Sequence, residues 1–195
     1  MHLLTLVQVS GFFVPNYLIM KFLEKNLEDI IFETDNEKLQ ERGLDLNGKK
    51  FRQLRLSHYG IADIVTVSRH GQNLHIEIIE LKKDVITIDT LVQALRYLAG
   101  IKNFLRKRKF RKQVFYTIKL CGKSISNLRD LSLLCSNMFS INSEIEFIQL
   151  ITYSYDFNGL KFEEHYEHIT DSFGENIAFD NVISKKKEDQ PYCPF

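Results

Sequence analysis

The sequence predicts an α/β sandwich, a mixed β-sheet with helices on its faces. Three observations carry this reading. Residues 50 to 81 hold three short β-like runs in succession, which read as a meander. Residues 84 to 108 then carry the longest helical apolar pattern in the chain. A second helical pattern, 124 to 139, separates two further β-like runs, 113 to 120 and 145 to 155.

The elements follow in order. Met1 to Val14 is apolar but lacks a basic leader and is shorter than the roughly 20 residues a bilayer span needs. It reads as a first strand or a packed lead-in, with no membrane role. Asn16 to Phe32 reads as helix, with Leu18, Phe22, Leu23, Leu27, Ile30 and Ile31 at helical spacing after Pro15. Glu33 to Lys49 is polar with two Gly and reads as loop, with room for a short helical piece. Lys50 to His58 is strand-like, with Phe51, Leu54 and Leu56 as its apolar side. Ile61 to Ser68 alternates around Asp63, and His70-Gly71-Gln72-Asn73 is a turn that joins it to the run Leu74–Leu81 as a hairpin. In the long helix the expected core positions are Leu91, Val92, Leu95, Leu98, Ala99 and Leu105. Ser124, Ser126 or Asn127 is placed to cap the next helix. A turn at Asp156-Phe157-Asn158-Gly159 leads to a partner strand, Leu160–His165.

The length of 195 residues suits one domain over 1–180, with 181–195 as a tail. The formal net charge is +1, so the balance alone does not mark a polyanion binder. The distribution does: Lys102, Arg106, Lys107, Arg108, Lys109, Arg111 and Lys112 form one block without an acid. A smaller one, Lys185-Lys186-Lys187, lies in the tail. Cys121, Cys135 and Cys193 match no zinc spacing and read as buried thiols of a reducing, cytoplasmic setting. His165 and His168 lack the partners of a zinc site. Gly122-Lys123-Ser124 lacks the earlier glycine of a phosphate loop.

The stretch from Gly60 to Tyr97 carries the chemistry. Residues two apart on a strand share a face, so Glu80 and Lys82 point the same way and Leu81 the other. Pairing across the Gly71 turn brings Asp63 towards Glu80. Two carboxylates suit Mg²⁺ or Mn²⁺, which completes its shell with water and substrate phosphate; the Leu81 carbonyl is a further candidate oxygen. Lys82 supplies positive charge where a phosphoryl transition state gains negative charge, or orients water. As a general base it needs a lowered pKa. Glu77, on the other face of the strand, reads as a surface residue. Without a ligand, Asp63 reads as the partner of a salt bridge, with Lys82 itself as one candidate.

Gly60-Ile61-Ala62-Asp63-Ile64-Val65, Ile78-Ile79-Glu80-Leu81-Lys82-Lys83 and Gln93-Ala94-Leu95-Arg96-Tyr97 together resemble the signature of the PD-(D/E)XK nucleases. The nearest likeness is to the nuclease domain of NucS (EndoMS)-like endonucleases, over residues 16 to 110. The resemblance implies a restriction-endonuclease-like mixed sheet flanked by helices, and a Mg²⁺- or Mn²⁺-dependent nuclease acting on DNA in repair or defence, with RNA left open. It implies Asp63 and Glu80 as metal ligands, Lys82 as the catalytic lysine, and Gln93 and Tyr97 as positioning residues. Such nucleases often carry a glutamate early in the first helix. Here Asn16 and Tyr17 stand there, so the site manages without it, or Glu24 or Glu28 takes its place. The family's usual N-terminal DNA-binding domain has no room in this chain, so a second copy or a partner protein is expected to supply specificity.

The basic block, with Lys83 and Arg96, is the candidate phosphate contact, placed at the rim of the same unit because it follows the Gln-x-x-x-Tyr helix. Two other readings stand beside catalysis: a nucleic-acid-binding module on the same fold without turnover, and a structural protein in which Asp63, Glu80 and Lys82 form a buried ion network.

Overall fold

The computed structural model describes residues 7–9, 12–14, 23–141, 145–156 and 159–165. The expected helix start at Pro15 and Asn16, and Cys193, His168, Lys185–Lys187 and the tail, lie outside the described residues.

Near the N-terminus β1 (Val7–Val9) and β2 (Phe12–Val14) pair only with each other, antiparallel. Then come α1 (Glu24–Glu33), α2 (Asn36–Glu41), β3 (Lys49–Arg55), a 3-10 turn (Ser57–Tyr59), β4 (Ile61–His70) and β5 (Asn73–Leu81). They are followed by β6 (Val85–Ile86), α3 (Ile88–Lys107), β7 (Val114–Gly122), β8 (Ser124–Ile125), α4 (Leu128–Ile141), β9 (Ile145–Asp156) and β10 (Gly159–His165).

The main sheet has six strands in the order β10-β9-β7-β5-β4-β3. β3, β4 and β5 form the expected antiparallel meander, with the two-residue turn Gly71-Gln72 closing the β4–β5 hairpin at the His70–Asn73 pair. Gly71 has φ 62, the left-handed backbone such a turn demands. β5, β7 and β9 run parallel, and the crossovers between them are α3 and α4, as parallel pairing requires. The molecule is thus a mixed α/β fold with helices on both faces of a mixed sheet. No described helix is long and apolar enough to cross a membrane.

The core has two parts. On one face Ile76, Ile78, Ile118 and Leu120 meet Leu91, Ala94, Tyr97 and Leu98 of α3 and Leu131 of α4. On the other Ile64, Ile79, Leu81 and Cys121 meet Leu27 and Ile31 of α1 and Leu39 of α2. β5 is therefore buried on both sides, which explains its nearly continuous apolar run.

The inward face of α3 is made by Thr90, Leu91, Ala94, Tyr97, Leu98, Gly100 and Ile101. Val92, expected in the core, is 57% exposed, and Ala99 is exposed too. Phe51, on the apolar side expected of β3, is exposed as well. Two helices begin later than their patterns suggest. Val85–Ile86 and Ser124–Ile125 are drawn into a short parallel ladder, fixed by Lys123 and Ser124 N–H donating to the Asp84 carbonyl at 2.7 and 2.9 Å. Of the three candidate caps of α4, Asn127 acts: its Oδ1 accepts the Asp130 N–H at 3.1 Å. Cys121 and Cys135 are free buried thiols, and burial pushes them up to about 12 and about 11.

Candidate functional site

The site forms where β4 and β5 part. Their ladder ends at the pair Ile64–Ile79, while β5 continues along β7 as far as Leu81–Cys121. Lys82 N–H still donates to the Cys121 carbonyl at 2.7 Å. The Leu81 N–H, with no β4 carbonyl paired to it, is taken by Asp63 Oδ2 at 2.9 Å. The Asp63 carboxylate therefore closes the gap between the strands, and it does so at the last residue of β5, directly before Lys82.

The distortion has a partner in β3. Gln53, which would face Asp63, has φ 51 and drops out of the β3–β4 ladder between the pairs Arg52–Ile64 and Leu54–Ala62. Beyond it the alternation of β4 breaks: Ala62 and Val65 pack on the α3 side, Ile64 on the α1 side. Local irregularity of this kind re-aims a strand side chain.

Glu80 is 0% exposed. Its Oε1 receives the Lys82 ammonium at 2.5 Å, and its Oε2 is buried with no hydrogen-bond partner. Burial raises the Glu80 carboxyl to about 7, the negative charge of Asp63 adds to the rise, and Lys82 opposes it. Asp63 is raised to about 6, again chiefly by burial, against the Leu81 N–H and the Lys82 charge. Two acids this costly to ionise together mark a place where positive charge is wanted. Burial alone would lower Lys82, but its bond to Glu80 and the acids around it win, so its pKa is raised. Lys82 is an ammonium here, which fits charge stabilisation and not proton abstraction.

Of the two acids of α1, Glu24 is the one bonded to the backbone that follows Lys82. Its Oε2 accepts the Lys83 N–H at 3.0 Å, and its charge acts on Asp63, Glu80 and Lys82. Glu28 is engaged elsewhere, with Arg52 Nε at 2.7 Å and Gln53 Nε2 at 2.8 Å, although its charge still reaches Asp63. Among the described residues no three Asp, Glu, His or Cys side chains gather as one metal-holding group. The donor set of Asp63, Glu80 and the Leu81 carbonyl still fits a hard divalent ion. Such an ion takes one or two carboxylates and fills the rest of its shell with water and phosphate, and the orphaned Oε2 of Glu80 is an oxygen ready for it.

Gln93 and Tyr97 bond to each other, Gln93 Nε2 donating to the Tyr97 hydroxyl at 2.6 Å. No described hydrogen bond joins them to the carboxylates. Tyr97 packs instead on the backbone that leads to Asp63: a Cβ built on Gly60 would lie 2.8 Å from Tyr97 Cε1, at a φ of 111. Gly60→Ala is therefore expected to cost on the order of 1–3 kcal/mol, from left-handed strain and the clash together. A thermal melt within about a degree of wild type would rule out that packing. Arg96 is exposed, its guanidinium 5.8 Å from the Tyr97 ring centre.

The basic block is not beside the carboxylates. Leu74 pairs with Val114, and its N–H donates to the Gln113 carbonyl at 3.0 Å, so residues 109–112 reach the sheet at the start of β5. Leu74 and Glu80 are about 20 Å apart along an extended strand. Lys102 lies at that end too, its ammonium 5.1 Å from the Tyr116 ring. Arg106, Lys107, Arg108, Lys109, Arg111 and Lys112 are all exposed. Sequence order placed the block next to the site because it follows Tyr97; the rise of about 1.5 Å per helical residue carries it away. Lys83, half-buried, pairs with Asp84 at 3.7 Å, and its carbonyl accepts the Tyr153 hydroxyl at 2.6 Å.

Glu77 is a correction. It is 7% exposed, and it lies in a buried network with Thr66 Oγ1 at 2.6 Å, the Asn47 N–H at 2.8 Å and Lys119 Nζ at 3.1 Å. Lys119 also donates to the Asp45 carbonyl. The charge lies inside because the second face of β5 is covered by α1 and α2 and is not open to solvent. The available signal was a lone Lys inside Ile118-Lys119-Leu120, a charge that needs a partner if that strand is central. In comparisons with known proteins the chain matches no family model, no curated protein and no solved structure.

Proposed function

We propose that this chain is a divalent-metal-dependent nuclease that hydrolyses phosphodiester bonds in DNA. The observation that carries the reading is the Asp63–Glu80 pair, two carboxylates raised to about 6 and about 7, with one Glu80 oxygen buried and without a hydrogen-bond partner. The motif resemblance supports it independently of the geometry.

When bound, Mg²⁺ or Mn²⁺ supplies Lewis acidity at the phosphoryl group and an activated water. Asp63 and Glu80 would hold the ion, and the Leu81 N–H fixes the Asp63 carboxylate against β5. Lys82, tethered to Glu80, places its ammonium where negative charge grows on the phosphoryl oxygens. Glu24 holds the Lys83 backbone, and with it the turn that follows Lys82. Lys83, Arg96 and the block from Lys102 to Lys112 supply cations for the phosphate backbone, the last of them about 20 Å away, some six base-pair steps of duplex.

The test is cleavage of single-stranded, branched, mismatched and plain duplex DNA, and of RNA, in Mg²⁺, Mn²⁺ or EDTA. Cleavage is expected only with metal, and Glu80→Ala or Lys82→Ala is expected to lower it at least 100-fold. Unchanged rates in both variants reject this site. Metal-independent binding with no cleavage of any substrate would instead make the chain a binding module on the same fold.

A further inference from the structure

Behind Asp63, on the α3 side of the sheet, the 3-10 turn Ser57–Tyr59 folds against the middle of α3. Contact is close: a Cβ on Gly100 would lie 2.9 Å from Tyr59 Cβ and 3.1 Å from Leu56 Cβ. Ser57 has φ 58, so the chain bends sharply out of β3 before it runs over the helix. Beside this contact is a cavity of about 200 Å³, lined by Arg55, His58, Tyr59, Asn103, Phe104 and Lys107 among others, with no acidic side chain in its wall.

The wall has a particular chemistry. His58 and Tyr59 have their ring centres 4.1 Å apart. Phe104, a large apolar ring of α3, is 54% exposed. The Arg108 guanidinium lies 5.4 Å from its centre. Arg55, His58 and Lys107 are exposed. Aromatic faces set among cations, with polar Asn103 between them, are what an unstacked nucleobase and its phosphates require.

We infer that this cavity is a nucleobase subsite, which takes one flipped or single-stranded base between His58–Tyr59 and Phe104, with its phosphates on Arg55, Lys107 and Arg108. The inference rests on the nuclease reading for its purpose. Tyr59 precedes Asp63 by four residues, at most about 14 Å of chain, so a strand cut at Asp63 and Glu80 has a base a few nucleotides away within reach. It follows that the substrate is single-stranded, or locally unpaired, at that point.

DNA and RNA share this chemistry, and the test separates them. Twelve-residue DNA and RNA strands, each with one 2-aminopurine, are titrated with the full chain in EDTA, where nothing is cut, alongside the DNA strand annealed to its complement. A fluorescence change with the single strands and tighter binding than to the duplex are expected. Phe104→Ala and His58→Ala should each weaken single-strand binding on the order of 10-fold and leave duplex binding as it was. Arg55→Ala and Lys107→Ala should each lower the slope of log K against log salt by about 0.7; Phe104→Ala should not change it. Equal affinity for single strand and duplex, or wild-type binding by both aromatic variants, overturns the subsite. Because binding is read without metal, failure of cleavage does not touch this result. Cleavage by Phe104→Ala with unaltered substrate preference overturns the subsite and leaves the nuclease reading standing.

Discussion

Glu80→Gln is expected to raise the melting temperature at pH 8 while cleavage falls by about 100-fold or more. The carboxyl of Glu80 is raised in the folded chain to about 7 from an ordinary 4.5. A group with a raised folded pKa binds its proton more tightly when folded, so stability is gained as pH falls from about 7 towards 4.5. Above 7 the full cost of the charge is carried. Asp63 behaves in the same way between 3.8 and about 6. Glutamine removes one charge from a 0% exposed position and relieves Asp63 of a neighbour. Lys82 loses an ionic partner but keeps a carbonyl to donate to. The net gain is on the order of 1–3 kcal/mol, worth some 2–4 °C for each kcal/mol in a chain of this size. Melting curves of both proteins from pH 5 to 9 in EDTA check this. The wild type should melt highest near pH 5, and the variant should show a flatter profile. A variant that melts lower than wild type at pH 8 would show that the carboxylate stabilises the metal-free fold, and the reading of a cation-demanding site would lose its physical basis.

Lys119→Met is expected to have the opposite signature: a large loss of stability with no change in the chemistry of each folded molecule. Its side chain is 4% exposed and that of Glu77 is 9% exposed, so the pair is desolvated on both sides. Removal of the lysine leaves a buried carboxylate with only the Thr66 hydroxyl and the Asn47 N–H. Breaking such a pair costs about 3–5 kcal/mol, a fall in melting temperature on the order of 10 °C. Glu77→Gln in the same chain should restore part of it, since the uncompensated charge is gone. A melting temperature within a degree or two of wild type would mean that Glu77 finds water or takes up a proton cheaply.

Together these two residues show which parts of the molecule a sequence reading reaches. The neighbourhood of Asp63, Glu80 and Lys82 is legible because Asp63 and Glu80 lie on two strands of clear period joined by one turn at Gly71, and Lys82 directly follows the second. Their relation is set within a hairpin. Glu77 was misread because its burial is set at long range, by Lys119 on a strand reached only after α3. Val92 and Ala99 were misplaced for a different reason. Apolar type was followed where helical phase decides, and phase favours Ala94, Tyr97 and Ile101. Glu24 could not be told from Glu28 until the end of α1 was fixed against Lys83. The basic block kept its sequence neighbours but not the expected spatial ones, because a helix of 20 residues separates its two ends by about 30 Å.

The left-handed residue at Gln53 has an effect on the outer rim of the sheet as well as on Asp63. Among the described residues β3 has no neighbour on its far side, so its outer amides and carbonyls form a template for another extended chain. The reversal at φ 51 interrupts that row in mid-strand, and Lys49 and Arg55 stand exposed at its two ends. An incoming strand would find the register broken and like charges at both termini. The same backbone twist that turns a carboxylate towards β5 thus keeps copies of this chain from zipping together edge to edge.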